Sequence, residues 1–206
     1  MVITWYGQSS FRLQSSKINI LIDPYSPRKV GLRGPNFSSD ILILTEPDAA
    51  VSCEKKLKKG CFLIKEPGEY EVRNIFVYGI HFQDKVVRTI YQITIDNIRF
   101  GVLGEIDKGL AAEQLEWLNG VDVLFIPVGA KCVLSSTKAR ELINQIEPRV
   151  VIPSCYKISG MKANLDSKTK FLKEMGVESL TLDKLTLKKQ DLLGEETKII
   201  VLRPKS

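Results

Sequence analysis

Histidine is nearly absent from this chain: His81 is the only one in 206 residues, and a zinc site built mainly on imidazole cannot be assembled from a single copy. Cysteine is sparse and scattered. Cys53, Cys61, Cys132 and Cys155 form no C-x-x-C pair, which argues against a zinc knuckle or a secreted disulfide framework and leaves reduced thiols. No apolar run approaches the roughly 18 residues of a membrane span, and the opening Met1-Val2-Ile3-Thr4-Trp5-Tyr6 lacks the basic start and long apolar stretch of a leader. A cytoplasmic protein without membrane contact is expected. No low-complexity linker or plain internal repeat divides the sequence, so the expectation is one domain over residues 1–206.

What is present is an ordinary core-forming balance, 44% hydrophobic and 26% charged residues. The net charge of +6 admits an anionic partner. The one dense cationic cluster, Lys55, Lys56, Lys58 and Lys59, has no interleaved aromatic residue. It reads as a solvated helix face, and nucleic acid is disfavoured.

The first half reads as β-structure. Residues 2–6, 11–13 and 18–22 form an antiparallel meander, punctuated by Gly7-Gln8-Ser9-Ser10 and Ser15-Ser16-Lys17. The third run ends in Asp23-Pro24, where proline stops ladder pairing and leaves the aspartate at the strand edge. Residues 25–39, rich in Gly, Pro and Arg, read as irregular backbone near that edge. Residues 41–44 are a buried strand, 49–57 a short helix, and 61–64, 70–72, 75–82, 86–95 and 98–103 strands. From there strands and helices alternate. Helices are expected over 111–118, 137–146 and 167–175, the last closed by Gly176, and strands over 121–126, 150–152, 182–187 and 197–202. A β-rich half followed by alternation implies two stacked sheets with helices outside.

The strand over 41–44 runs into Thr45-Glu46-Pro47-Asp48, a rigid strand end presenting two carboxylates two positions apart. Strand ends of this kind are where α/β folds carry chemistry. The order of punctuation along the chain adds to this. Trp5-Tyr6-Gly7-Gln8-Ser9-Ser10-Phe11, Leu21-Ile22-Asp23-Pro24, Leu44-Thr45-Glu46-Pro47-Asp48, Pro67-Gly68-Glu69-Tyr70, Leu103-Gly104-Glu105, Ile126-Pro127-Val128-Gly129 and Ile152-Pro153-Ser154-Cys155-Tyr156 follow one another as in the metallo-β-lactamase-fold hydrolases. The chain most resembles their UlaG-like "Zn-dependent hydrolase" branch. That resemblance implies a four-layer αββα sandwich with a metal site between the sheet edges. There, zinc lowers the pKa of a bound water and polarises the group attacked.

Placed on the resemblance, the ligand positions are altered. Glu46 and Asp48 stand at the two leading His positions of His-x-His-x-Asp-His, Ala50 at its Asp and Val51 at its closing His. Gln83 stands for a later His, Glu105 for a bridging Asp, Cys155 for the His before a Tyr, and Gln8 for the His of an early Gly-His-Ser-Ser turn. Asp23 matches, in a position that usually supports ligands rather than binding metal.

Two readings of this set stand. Glu46, Asp48, Glu105 and Cys155 could hold an oxygen-preferring cation such as Mn²⁺, Mg²⁺ or Ca²⁺ and support a rewired hydrolase acting on phosphoesters or lactones. Alternatively they line a remnant pocket with Gln83 and Asp23, and the chain is a binding or assembly module with no metal or other cofactor. The second is favoured, because first-shell geometry must be held closely. The partner is then a protein or small molecule, and self-association stays open. On each single residue the plainer reading is favoured. His81 is expected partly buried on a strand face, Cys155 a buried free thiol, and Asp23 an acceptor for turn amides. Ser135 has Ser-x-x-Lys spacing to Lys138, but Ser135 or Ser136 is expected to be a helix cap rather than a nucleophile.

Overall fold

The computed structural model describes residues 1–16, 18–47, 60–83, 85–194 and 196–205. Strands β1 (Val2–Gly7), β2 (Ser10–Gln14) and β3 (Asn19–Ile22) form the antiparallel meander, each turning at the Gly- and Ser-rich breaks. β4 (Ile41–Ile43) lies parallel to β3, and β5 (Phe62–Ile64) parallel to β4. β4 is apolar at every position because both of its faces are buried: Ile41 and Ile43 join the main core, and Leu42 packs with Leu21 and Leu44 in a second cluster. The long connection before it, expected as irregular backbone, contains one helical turn, α1 (Pro27–Val30), closed by Gly31 in the left-handed region.

The second sheet opens with four antiparallel strands, β6 (Gly68–Val72), β7 (Ile75–Gln83), β8 (Val87–Ile95) and β9 (Ile98–Val102). It continues with parallel β10 (Val123–Pro127), β11 (Val150–Ser154) and β14 (Lys198–Leu202). Helices α2 (Ala112–Trp117), α3 (Ser136–Ile146) and α4 (Lys168–Met175) supply the alternation. Ser135 caps α3 as expected, its hydroxyl accepting from the Lys138 amide at 3.3 Å.

The single strand expected over 182–187 is two. β12 (Leu180–Leu182) pairs with β14 in the second sheet, and β13 (Leu185–Thr186) pairs with β1 in the first. Asp183 and Lys184 make the crossing, their polarity too brief to break an apolar run by eye. The orders are β13-β1-β2-β3-β4-β5 and β12-β14-β11-β10-β9-β8-β7-β6.

The sheets pack face to face through aromatic side chains. Phe11 of β2 meets Phe125 of β10 at 4.3 Å between ring centres, and Trp5 of β1 meets Tyr156 at 4.9 Å. The Tyr91 hydroxyl donates to the Leu44 carbonyl across the interface at 3.1 Å. Tyr91 lies opposite Gly79 on β7, so Gly79, in phase with the buried Ile75 and Val77, faces the first sheet. The even-numbered Tyr78 instead packs against Trp117 of α2 with tilted rings, 5.8 Å between centres, which puts α2 on the outer face. The two sheets and outer helices are the metallo-β-lactamase fold that the resemblance implies. The helix expected over 49–57, and with it Lys55, Lys56, Lys58, Lys59, Ala50, Val51 and Cys53, lies outside the described residues. Among the described residues no helix is long and apolar enough to cross a membrane.

Candidate functional site

The C-terminal end of β4 is where the two sheets touch. The Thr45 carbonyl accepts the Thr89 amide of β8 at 2.8 Å, tying the first sheet to the second at one corner. Asp23, at the end of β3, locks the same residue from the other side. Its Oδ1 accepts the Thr45 amide and its Oδ2 the Thr45 hydroxyl, both at 2.7 Å. Asp23 has φ of 42°, a left-handed conformation that Asp tolerates better than most residues. Gly104 follows β9 at φ of 64°, and a Cβ there would lie 2.4 Å from the Thr45 hydroxyl oxygen. Only glycine lets the Leu103-Gly104-Glu105 turn come this close, and that approach delivers Glu105 to the corner.

A cavity of about 260 Å³ opens at this corner. Asp23, Thr45, Glu46 and Glu105 form its acidic part, and Gln8, Ser9, Tyr25 and Lys29 complete much of its wall. The loop expected near the Asp23 edge does lie there: the Tyr25 hydroxyl donates to the Tyr6 carbonyl. Ser9 donates to Glu105 Oε1 at 3.4 Å.

Arg88, near the start of β8, is buried and places Nη2 3.5 Å from Glu46 Oε2. Its charge also acts on Glu105, where it opposes the upward push that burial gives the carboxyl, while Glu46 adds to that push. Burial raises the Asp23 carboxyl to about 7, and the hydrogen bonds from Thr45 only partly offset it. The Cys155 thiol is buried and held well above its ordinary value, first by burial and then by the negative charge of Glu105. Such a thiol stays protonated and is a poor nucleophile. Cys155 nonetheless belongs to the corner: its amide donates to the Gln8 carbonyl at 3.2 Å, and its own carbonyl would lie 2.0 Å from a Cβ at Gly129.

The residues singled out by sequence therefore divide. Asp23, Glu46, Glu105 and Gln8 meet around one cavity, with Cys155 packed behind it. Gln83 is exposed at the far end of β7 and is not among the cavity-lining residues. Asp48 lies outside the described residues. His81, expected partly buried, is exposed. It keeps the strand parity of Ile75 and Val77, opposite Thr89, but the burial alternation inverts along β7, and at this end it is the adjacent Phe82 that is buried. Among the described residues, no three His, Cys, Asp or Glu side chains are grouped so as to hold a metal ion.

Arg88 escapes the sequence reading because it is a strand residue that belongs to none of the punctuating motifs. Its signal is faint but present: it is the sole charged residue in the run 86–95.

Residues 2–154 match the Beta-lactamase superfamily domain, Lactamase_B_3. The chain belongs to the metallo-β-lactamase superfamily. A superfamily member from Thermotoga maritima, a candidate Zn-dependent hydrolase, superposes with a TM-score of 0.81 at 26% identity, covering 98% of this chain and 97% of that one. Igni18, a metallo hydrolase of Ignicoccus hospitalis, shares the fold at a TM-score of 0.67 and 18% identity, over 100% of this chain and 96% of its own. A UPF0173 protein of Pyrococcus abyssi is 25% identical over 180 residues, 76% of this chain and 83% of the relative. The superfamily match ends at Ser154, immediately before Cys155 at the corner.

Proposed function

We propose that this superfamily member is a metal-free binding or assembly module, its metal corner rebuilt around an arginine. The observation that carries this reading is Arg88. Its guanidinium lies 3.5 Å from Glu46 and offsets the charge of Glu105, so a fixed cation of the chain stands among the carboxylates where the resemblance would put an ion.

The donors present do not fit zinc. Asp23 spends both oxygens on Thr45, Glu46 is paired with Arg88, and Glu105 accepts from Ser9. The two positions nearest Asp48 that should complete the ligand set are Ala50 and Val51, which have no electron pair to give. A second cation close to Arg88 would also be repelled: at ~4 Å in a partly desolvated site, like charges cost on the order of 4 kcal/mol. Burial and the negative charge of Glu105 favour the protonated Cys155 thiol, so a metal bound there would have to displace its proton.

Hydrolysis assays with chromogenic phosphodiester and lactone substrates, with and without Zn²⁺ and Mn²⁺, test the reading. A binding module gives no turnover above buffer under any condition. Metal-stimulated turnover that disappears in Glu46→Ala and Glu105→Ala would instead establish a hydrolase with a rewired Glu/Asp/Cys site, the activity class for which several structural relatives are named.

A further inference from the structure

A basic surface borders the acidic corner. Pro24, Tyr25, Ser26, Lys29 and Val30 line the cavity, residues 156–165 pack against the 24–39 segment, and neither segment contains a single Asp or Glu. They carry Arg28, Lys29, Arg33, Lys157 and Lys162, all exposed. The segments are packed together by backbone contacts. The Lys162 amide donates to the Val30 carbonyl at 2.9 Å, its ammonium to the Arg28 carbonyl at 2.7 Å, and a Cβ at Gly31 would lie 2.4 Å from the Gly160 carbonyl. Like charges from distant parts of the chain are thus held side by side.

The stripe continues past this pair. The Lys157 amide donates to the Asp166 carbonyl, and the Asp166 carboxylate is held below its usual range by Lys170, 2.8 Å away, with Lys131 at 4.0 Å. Asp166 is therefore already engaged by two cations and does little to neutralise the rest.

We infer that this discontinuous basic stripe binds the phosphate backbone of a nucleic-acid duplex lying alongside the acidic corner. The inference builds on the binding-module reading and names its partner. Three observations choose this ligand over the other anions. A small phosphate compound seated in the cavity would face Glu46 and Glu105 and meet only Lys29 of the stripe, so most of the positive charge lies outside the cavity and is extended, as a polymer requires. An acidic protein would need an apolar centre to dock on. Among the described residues, the exposed large hydrophobic ones, such as Trp117, Phe76 and Leu180, all lie outside the stripe. Single strands are gripped by stacking bases on exposed aromatic rings. Here Tyr25 turns its hydroxyl inward to Tyr6 and Phe37 packs beneath Arg12 and beside Tyr6, which leaves backbone contacts and a duplex.

The cluster that stands out in the sequence, Lys55 to Lys59, is a different one. No sequence window shows this stripe, because the turn after β3 and the segment after β11 meet only in the fold.

Fluorescence anisotropy with a short labelled duplex of mixed sequence, followed across a salt series, tests the inference on the full chain. Affinity is expected to fall linearly on a log–log plot, with a slope near −0.9 for each phosphate contacted, or roughly −4 to −5 for five cations. The variant Arg28→Glu/Arg33→Glu/Lys162→Glu should bind roughly tenfold or more weakly and lose about 3 from the magnitude of the slope. Lys184→Glu/Lys188→Glu/Lys198→Glu, an equal charge change outside the stripe, should leave both nearly intact. A flat salt dependence, or equal losses in the two variants, overturns the inference. So does polyglutamate of matched charge competing as well as unlabelled duplex, which would assign the stripe to an acidic protein. None of these results depends on whether the corner beneath holds a metal, so this inference and the metal-free reading can fail separately.

Discussion

Asp23→Asn should make the protein more stable relative to wild type as the pH rises from about 4 to 8. The Asp23 carboxyl is raised from its ordinary 3.8 to about 7 by burial. Between those values the folded protein holds a proton that the unfolded chain has released. Wherever the folded state binds more protons, stability falls as pH rises. At about 1.4 kcal/mol per pH unit the window corresponds to at most about 4 kcal/mol. Water reaching the cavity screens part of this, so about 2–4 kcal/mol is expected. The substitution isolates the charge. Asparagine tolerates the left-handed backbone at φ of 42°, its oxygen can accept the Thr45 amide, and its amino group can donate to the Thr45 hydroxyl in place of the bond seen at 2.7 Å. Urea unfolding of both proteins at closely spaced pH values gives the difference in unfolding free energy. It should grow in favour of the variant through the window and level off above about pH 8. A difference that stays constant with pH, or that moves in favour of the wild type as pH rises, would refute the assignment of a buried, proton-holding carboxyl to Asp23.

Other perturbations read the same corner. Arg88→Met keeps the length of the apolar stem but leaves Glu105 without the cation that opposes its rise. It should cost about 1–3 kcal/mol at pH 8 and less at pH 5, where Glu105 can take a proton, as urea denaturation at the two pH values would show; an equal cost at both would contradict the charge-balancing role. Gly104→Ala places a methyl 2.4 Å from the Thr45 hydroxyl oxygen at a left-handed position, and should lower stability by about 2 kcal/mol or more. Its amide exchange should rise at Thr45 and Thr89, where the sheets meet, before it rises in α3.

Most strands are legible in the sequence because period-two burial and Gly or Pro breaks act locally. The runs over 75–82 and 98–103 differ from β7 and β9 by a residue at an end. The run over 182–187 misleads for a physical reason: its two halves serve different sheets, and sheet membership is a long-range property. The corner is legible in outline, since the turns after β3, β4, β9 and β11 are marked by Asp-Pro, Glu-Pro, Gly-Glu and Ser-Cys. What these residues do to one another is not. Whether Glu46 faces a metal or an arginine depends on Arg88, which enters from the second position of β8, and the basic stripe depends on two segments more than a hundred positions apart. Charge balance in a pocket is decided by three-dimensional neighbours, and no spacing rule encodes it.

The central claim is that an arginine has taken over the charge an ion would supply at the corner. Elemental analysis of the purified protein, as isolated and after incubation with Zn²⁺, Mn²⁺ or Ca²⁺ followed by desalting, tests it directly. The account predicts far less than one equivalent of any metal in every sample. One equivalent of a metal in the wild type, lost on Glu46→Ala, would contradict it.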